Sequence, residues 1–539
     1  MTPRLSSHTN PSRATARLGM LGLAALGALV LVTLAPSSLS GQAADGIVGR
    51  AAAALGGRDR LLALKSLTIE GYGQVAYQNG GGNLTASPDA PQKWIDITDY
   101  ARVVEFTPLR TRVRQRQAHG FVFAAAQNMR GTVSTQGVEG EIAYTIGAKG
   151  TAARLPVATA RARRLEMLAH PVVLVRVALD ASTKVQNVRA SGGLELGDLR
   201  LPTGDTMTLA IDATTALPAW VEWVGPDTNL GDVVYRTAFT GYEPVSGVLM
   251  PMGLATTIDF RNVVQHKLYV DRHALDAPTG EIAAPANVRA AAPPAPPAPT
   301  IGATGIARGI WYLTGAGNST LFEFADHLTL FEAYASEANA KAVFAKARSL
   351  VPNKPLTEVI VSHHHFDHSG GLRAAVSEGL TIVTQRGNAA LFQELAARPA
   401  RLFPDALGAK PQPIRIRAVD DHLKLRDAAM EVDLYRVVAN SHMADALMAY
   451  VPRDRLLVQA DLFDASWEVY WWGSSYMDNV RHRNLTVERD VPVHGRVLPL
   501  AEVQAGIEKQ IRNAQALCAT VEAANLSMPG CPVKTTVHR

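Results

Sequence analysis

Apolar and polar positions follow two different rhythms along this chain. Between residues 45 and 275, runs such as LTIEGYGQVAY, RTRVRQRQ, MTLAIDA, AWVEWV and ATTIDF alternate or are rich in β-branched and aromatic residues, with Gly, Pro, Asp and Asn clusters between them. Successive side chains of a strand face opposite ways, so this part predicts a large, mostly antiparallel sheet. Only one or two helices are expected with it, from GIVGRAAAALGG and DRLLALKSL. From residue 301 the rhythm changes. Short strand-like runs (GIWYLTG, TLFEF, LTLFEA, EVIVS, LTIVT, IRIRAV, MEVDLYRVV, ALMAYV, RLLVQAD) interleave with the helical stretches EANAKAVFAKARSL, GGLRAAVSE and NAALFQELAA. An amphipathic LAEVQAGIEKQIRNAQALC follows the strand VPVHG. Strands mixed with helices at this spacing predict an α/β domain of sheets covered by helices.

The stretch NVRAAAPPAPPAPT, residues 287–300, separates the two parts, and its Pro/Ala composition favours an extended, semi-rigid spacer. At the other end, Arg4, Arg13 and Arg17 precede the uncharged LGMLGLAALGALVLVTLA and the small, polar PSSLSGQAADG. That layout predicts a secretory signal peptide cleaved after Ala43 or Ala44; an uncleaved anchor is the alternative. Either places the rest of the chain outside the cytoplasm, in the periplasm or secreted. The expected organisation is a signal peptide at 1–43, a β-rich domain at 45–275, a linker at 276–300, an α/β domain at 301–515 and a tail at 516–539.

Charge changes the picture little. A formal net of +5 over 539 residues is a weak argument for nucleic acid. Arg110, Arg112, Arg114 and Arg116 share one face of a predicted strand, and RARR follows at 161–164. Both are expected to be solvated faces of the sheet, with an anionic lipid or substrate as the alternative for the stripe. The two cysteines, Cys518 and Cys531, are close enough to bridge in an oxidising compartment, which leaves no thiol for a metal site.

Chemistry concentrates in VSHHHFDHSGG, residues 361–371, directly after EVIV. His363 and His365 point to the same side of an extended segment, His364 to the other, and Asp367 and His368 follow in the turn. Gly370 and Gly371 are expected to let the chain turn sharply into the next helix. Such a cluster is poor core material and suits a metal ion. Three more candidate ligands, His442, Asp461 and His494, stand at the ends of later predicted strands. His364 is expected to be structural, while His422 and His482 are exposed and weaker substrate-contact candidates. Trp467, Tyr470, Trp471, Trp472 and Tyr476 either wall a pocket or pack a core.

The HxHxDH set with its three downstream partners resembles the metallo-β-lactamase-fold hydrolase superfamily over about residues 305–500. The resemblance implies an αββα sandwich and two Zn2+ per chain. One ion would be held by His363, His365 and His442, and the other by Asp367, His368 and His494, with Asp461 bridging both. Departures are Asn440 and Ser441 before His442, and Ala460 before Asp461, where glycine is commoner. Asp461 itself stands where dedicated lactamases have cysteine or serine, which argues against antibiotic hydrolysis. The segment at 211–251 resembles a bacterial lipoprotein-carrier half-barrel through Asp212, Pro218, Gly231, Asp232, Gly247 and Pro251, implying a lipid or acyl group as a partner.

These readings predict an exported dinuclear zinc hydrolase in which a metal-bridging hydroxide attacks an ester, lactone, thioester or amide of a small-molecule substrate. Two divalent ions near 3.5 to 4 Å apart lower the pKa of a shared water towards about 7, and Asp367 is the candidate catalytic residue that orients it. The competing readings are an iron-dependent sulfur or oxygen oxidoreductase on the same fold, and a lipid-binding protein with an accessory metal domain. Membrane association is expected only if the signal segment stays uncleaved.

Overall fold

The alternating runs of the first part become one continuous antiparallel meander. The computed structural model describes residues 46–78, 92–122 and 131–532, so the expected signal segment lies outside the described residues. Thirteen strands form the sheet. One arm runs from Ser66–Ala76 through Trp94–Phe106 and Leu109–His119 to Ala152–Arg154, and the other from Val264–Leu275 through Gly231–Val245 to Lys184–Ser191. The arms join where Ser66–Ala76 pairs with Val264–Leu275. Leu67, Ile69, Val104, Leu209, Val221 and Leu268 of the sheet share a core with residues of the helices Ile47–Leu55, Val157–Leu168 and Pro171–Ala178.

The last two of those helices differ from the expectation. PVVLVRVA has the β-branched content of a strand, yet Pro171 at its start presets a helical φ, and burial on nearly all sides rewards its apolar side chains in either geometry. RARR also lies in a helix rather than on a solvated sheet face. Arg164 is buried there and donates to Asp205 across 2.6 Å. The arginine stripe does sit on one face of the strand Leu109–His119, opposite buried Thr111, Val113 and Gln115. Its members make structural pairs, Arg110 with Glu105 at 2.6 Å and Arg116 with Asp99 at 2.7 Å.

The expected linker is shorter than 276–300. Ile282, Ala284 and Val288 are buried, and Tyr144 packs against the last two and donates to the Ile282 carbonyl at 3.0 Å. Residues 291–300 are exposed throughout.

The second part is four layers deep. A seven-stranded sheet runs in the order Gly302–Ala307, Ile310–Thr314, Ser319–Glu323, Leu328–Phe331, Leu356–Ile360, Thr381–Gln385 and Arg415–Val419. A six-stranded sheet spans His422–Arg426 to Leu498–Pro499. Period-two alternation sorts their side chains. Leu321, Leu330, Val359 and Ile382 face outward into a core with the helices Glu337–Leu350, Leu372–Ser377 and Ala389–Ala397. Their neighbours Phe322, Phe331, Ile360 and Val383 face inward against Val432, Leu434, Ala449 and Val458 of the other sheet. On the far side, Met448 and Leu457 pack with Val503 and Ile507 of the helix Leu500–Ala523. That helix overruns the expected domain end at 515, and Cys518 and Cys531 are bridged.

The two parts are packed together. Leu230, Val233, Ile258 and Phe260 from the first lie in one core with Leu372, Phe392 and Leu395 of the second. All described residues fall in one compact unit, Ala43–Arg539.

Within the first part, the rings of His170 and His273 stand 5.7 Å apart, with all four ring nitrogens buried and unpartnered. Burial lowers His273 to about 4, and burial with the nearby His273 and Arg102 charges holds His170 well below its usual value. Unfolded, a histidine titrates near 6.5, so between about 4 and 6.5 the unfolded chain binds more protons. The stabilisation is complete above about 6.5 and is lost as pH falls toward 4. Denaturation at pH 7.5 and 5 is expected to show that the wild type loses about 2 kcal/mol more than His273→Phe over that interval.

Candidate metal centre

The histidine cluster begins where the buried strand Leu356–Ile360 ends. Parallel strands Leu328–Phe331 and Thr381–Gln385 flank it, so the cluster sits at their carboxyl ends, where open α/β sheets gather ligands. The other sheet supplies the rest. His442 lies between Glu431–Arg436 and Leu447–Val451, Asp461 just after Leu456–Gln459, and His494 just after Arg489–Pro492. A hydrogen bond from the Leu447 N–H to the Ser362 carbonyl, 2.9 Å, ties the two sheets beside the site.

Gly370 and Gly371 have ordinary negative φ values, so a sharp turn is not what requires them. Close approach is. A Cβ on Gly371 would lie 2.3 Å from the Ala333 carbonyl, and one on Gly370 would lie 2.4 Å from that of Ala335.

The structure brings all seven expected side chains together. His363, His365, His442 and Asp461 form one group and Asp367, His368 and His494 another, each with donor atoms within 4.8 Å of one another. Asp461 faces both. Its Oδ2 is 3.0 Å from His442 Nε2 and 3.5 Å from His363 Nε2, while Oδ1 is 3.0 Å from His494 Nε2. His368 Nε2 stands 3.3 Å from Oδ2 and 3.3 Å from His494 Nε2.

Ionisation follows from this packing. Burial, with His368 nearby, pushes His363 down to about 4, and burial with the neighbouring histidines holds His365 well below its usual value. Both are therefore neutral imidazoles, the form that ligates, and both present a buried Nε2 without a normal hydrogen bond. Burial opposes charge on Asp461 too, but the His368 charge and the close approach of the His363, His368 and His442 ring nitrogens win, keeping its carboxyl well below the usual range. Burial likewise opposes charge on His368 and His494, and the Asp461 carboxylate holds both up. The neutral His363 and His365 rings beside the ionised Asp461, with buried lone pairs converging, fit a divalent cation.

Neighbouring groups fix the orientations. Ser362 Oγ lies 2.9 Å from His363 Nδ1, and Glu332 Oε2 lies 3.5 Å from His368 Nδ1, so each ring turns its Nε2 toward Asp461. Glu332 is itself fully buried and accepts the Ser362 N–H at 2.8 Å. The Tyr334 hydroxyl donates to Asp367 Oδ2 at 3.2 Å, and its ring meets His368 and His494 edge-on. Sequence reasoning missed Ser362, Glu332 and Tyr334. The one available signal was Glu332, a carboxylate directly after the apolar run LTLF.

Of the departures noted beside His442 and Asp461, Asn440 has a local explanation. Asn440 Oδ1 accepts the N–H groups of His442 and Met443, at 2.8 and 3.2 Å, so an Asx turn shapes the loop. Asp461 has φ +59°, a left-handed conformation that favours glycine. Its carbonyl accepts from Trp472 Nε1 at 2.9 Å and Tyr470 Oη at 3.2 Å, which holds it there. The Trp472 ring also stacks on His442, with centroids 4.1 Å apart. The aromatic run is thus divided. Trp472 and Tyr470 brace the site, Tyr476 is core, and Trp467 is exposed.

His364 is buried, faces Asn388 and belongs to neither group. His422 pairs with Asp433 at 2.7 Å and stacks on Tyr435, and His482 is exposed at the end of the helix Ser475–His482. Neither joins the site.

A family model described as the metallo-beta-lactamase superfamily matches residues 313–463. A linear primary-alkylsulfatase from Pseudomonas sp is 39% identical over 61 residues, 11% of this chain and 9% of that enzyme. The chain therefore spans under a tenth of that curated relative. Among solved structures, a metallo-beta-lactamase from Pontibacter korlensis is similar over 39% of this chain and 99% of its own, at 15% identity and TM-score 0.32. The Flv1 flavodiiron core from Synechocystis sp. PCC6803 is similar over 41% of this chain and 63% of its own, at 17% identity and TM-score 0.33.

Trp472→Phe keeps an aromatic face on His442 but removes the donor to the Asp461 carbonyl. Chelator competition on the folded variant is expected to show metal affinity lowered about tenfold, within the range for loss of a supporting group.

Proposed function

We propose, from the match of residues 313–463 to a family model described as the metallo-beta-lactamase superfamily, that the protein is a metal-dependent hydrolase carrying two zinc ions and acting on a small-molecule ester, lactone, thioester or amide. The observation that carries this reading is the Asp461 carboxylate, which faces His363 and His442 through one oxygen and His494 through the other. His363, His365 and His442 would hold one ion and Asp367, His368 and His494 the other, with Asp461 facing both groups. When bound, such ions supply Lewis acidity, polarising a substrate oxygen and lowering the pKa of water towards about 7.

The chain's own groups do the rest. Asp367, kept ionised because the charges of His368 and its neighbours outweigh its burial, accepts a hydrogen bond from water and orients it. Tyr334 fixes that carboxylate by donating to Oδ2. Ser362 and Glu332 keep the His363 and His368 rings from rotating. No serine or cysteine nucleophile is required.

The likeness to an alkylsulfatase supports adding sulfate esters to the substrate classes. The iron oxidoreductase reading is less favoured, since a mononuclear iron centre would have no use for a complete second group of Asp367, His368 and His494. The protein is read as exported, on the layout of its first residues. A screen of p-nitrophenyl esters, lactones, phosphodiesters, sulfates and lactams should find one hydrolysed class with the intact, zinc-loaded protein. Asp461→Ala should reduce that activity by about a hundredfold or more, beyond the cost of losing a mere supporting group. No hydrolysis by the intact protein, or an unaffected variant, rules the reading out.

We also propose that the first domain binds an acyl or similar apolar chain. What supports this is a cavity of about 610 Å³ between the sheet and the helix Val157–Leu168, walled by Val75, Ile97, Leu165, Trp223, Leu254 and Leu268. Ala162 lines it from the helix. The full-length protein is expected to bind a fluorescent fatty acid saturably, and Ala162→Phe, which fills the space, to abolish that binding. Equal binding by both counts against it.

A further inference from the structure

The hairpin turn between the strands Pro218–Asp227 and Gly231–Val245 belongs to the first domain, yet it contacts the second at the metal centre. Asp227 Oδ1 accepts the N–H groups of Asn229 and Leu230, each at 2.9 Å, and so folds the turn. Asn229 is 5% exposed. Its Nδ2 donates to Ser369 Oγ at 3.1 Å and toward the Phe366 carbonyl at 3.4 Å. Phe366 and Ser369 are the two ends of the single helical turn Phe366–Ser369, and between them stand Asp367 and His368. Ser369 Oγ continues the chain of contacts to the His364 carbonyl at 3.4 Å.

The turn is anchored where it makes these contacts. The Asp232 carboxylate accepts three consecutive N–H groups, those of Arg401, Leu402 and Phe403, at 2.7, 2.8 and 3.0 Å. Arg398 donates to the carbonyls of Leu230 and Asp232 at 3.0 and 2.6 Å. Gly231 lies so near the second domain that a Cβ there would be 2.3 Å from the Pro399 carbonyl.

We infer that Asn229 is a positioning residue for the second metal group, so that both domains build the site; this rests on the two-ion reading above. A four-residue helical turn has little stability of its own. Inside this one, the N–H groups of His368 and Ser369 both reach a single acceptor, the His365 carbonyl, at 3.0 and 2.8 Å. Metal ligands must be held to within about 0.2 Å of their required distances. Asn229 clamps both ends of the segment whose precision matters most. The first group depends on other supports. His363 and His365 extend from a paired strand, Ser362 orients His363, and Trp472 braces His442. Loss of the clamp therefore acts on one ion and spares the other.

The test is a titration of metal-free, full-length protein with Zn2+ against a competing chelator, repeated with Co2+ to read coordination from the absorption spectrum. The wild type is expected to take up two ions. Asn229→Ala should bind the second 10–100-fold more weakly, with the first unchanged, in keeping with the usual cost of an outer hydrogen-bond partner. Asn229→Asp loses the amide donor and offers the Ser369 hydroxyl an acceptor in its place, and should fall between. Should Asn229→Ala fail to fold, Asn229→Asp decides by the same readout. Arg261→Ala removes a different interface contact, the pair with Glu394 at 2.6 Å, and should lower Tm while leaving both affinities unchanged.

Two ions bound equally well by wild type and Asn229 variants overturn the inference alone. So does equal weakening of both ions in the Asn229 and Arg261 variants, which would make Asn229 ordinary interface packing. A wild type that takes up no second ion overturns the two-ion reading, and this inference falls with it.

Discussion

A buried carboxylate among imidazoles is the constraint around which the second domain is organised. Asp461 is 8% exposed and lies within 3.5 Å of ring nitrogens of His363, His368, His442 and His494. An ion taken out of water without compensation costs several kcal/mol, so those contacts cannot be loosened independently. The backbone is committed as well. A left-handed φ at a residue other than glycine costs roughly 1–2 kcal/mol. The two donors on the Asp461 carbonyl, Trp472 and Tyr470, offset it at about 1 kcal/mol each. The same two side chains fill the space beside the site, so a local conformational cost and a packing requirement are met together.

The layered architecture supplies the geometry. Every strand end that carries a candidate ligand opens on the same edge of the two packed sheets, and the shared core of Phe331, Ile360, Val458 and Val491 sets how far apart those ends lie. Close packing transmits small shifts, so the separation of His363 from Asp461 is a property of the whole sandwich. Two glycines at 370 and 371 allow the histidine-rich turn to lie against the chain at Ala333 and Ala335. Glu332 and Tyr334, in that same chain segment, then reach His368 and Asp367.

The first domain is bound to this arrangement rather than tethered beside it. Gly231 and Asp232, two of the residues that suggested a carrier-like half-barrel, serve the contact with the second domain: one permits close approach and the other caps three N–H groups. The exposed Pro/Ala stretch is a surface connection between parts already joined by a common core. A cavity in one part and the candidate metal site in the other are therefore held in a fixed relation.

The chain's local chemistry was legible without coordinates. Period-two apolar runs marked the strands of both domains, because alternation survives in any half-buried strand. The spacing of His363, His365, Asp367 and His368 marked the candidate metal-binding cluster, because few other roles tolerate so many imidazoles in one turn. What sequence could not assign depends on partners distant in the chain. PVVLVRVA became a helix because of what buries it, and Arg164 became a buried ion because Asp205 faces it. Ser362, Glu332, Tyr334 and Trp472 took their places around the histidines, and Asn229 its place across the domain boundary, through contacts between residues as distant in the chain as Asn229 and Ser369 or Tyr334 and His494. Local pattern specifies which elements form and which side chains carry chemistry; only packing in three dimensions decides which groups orient them.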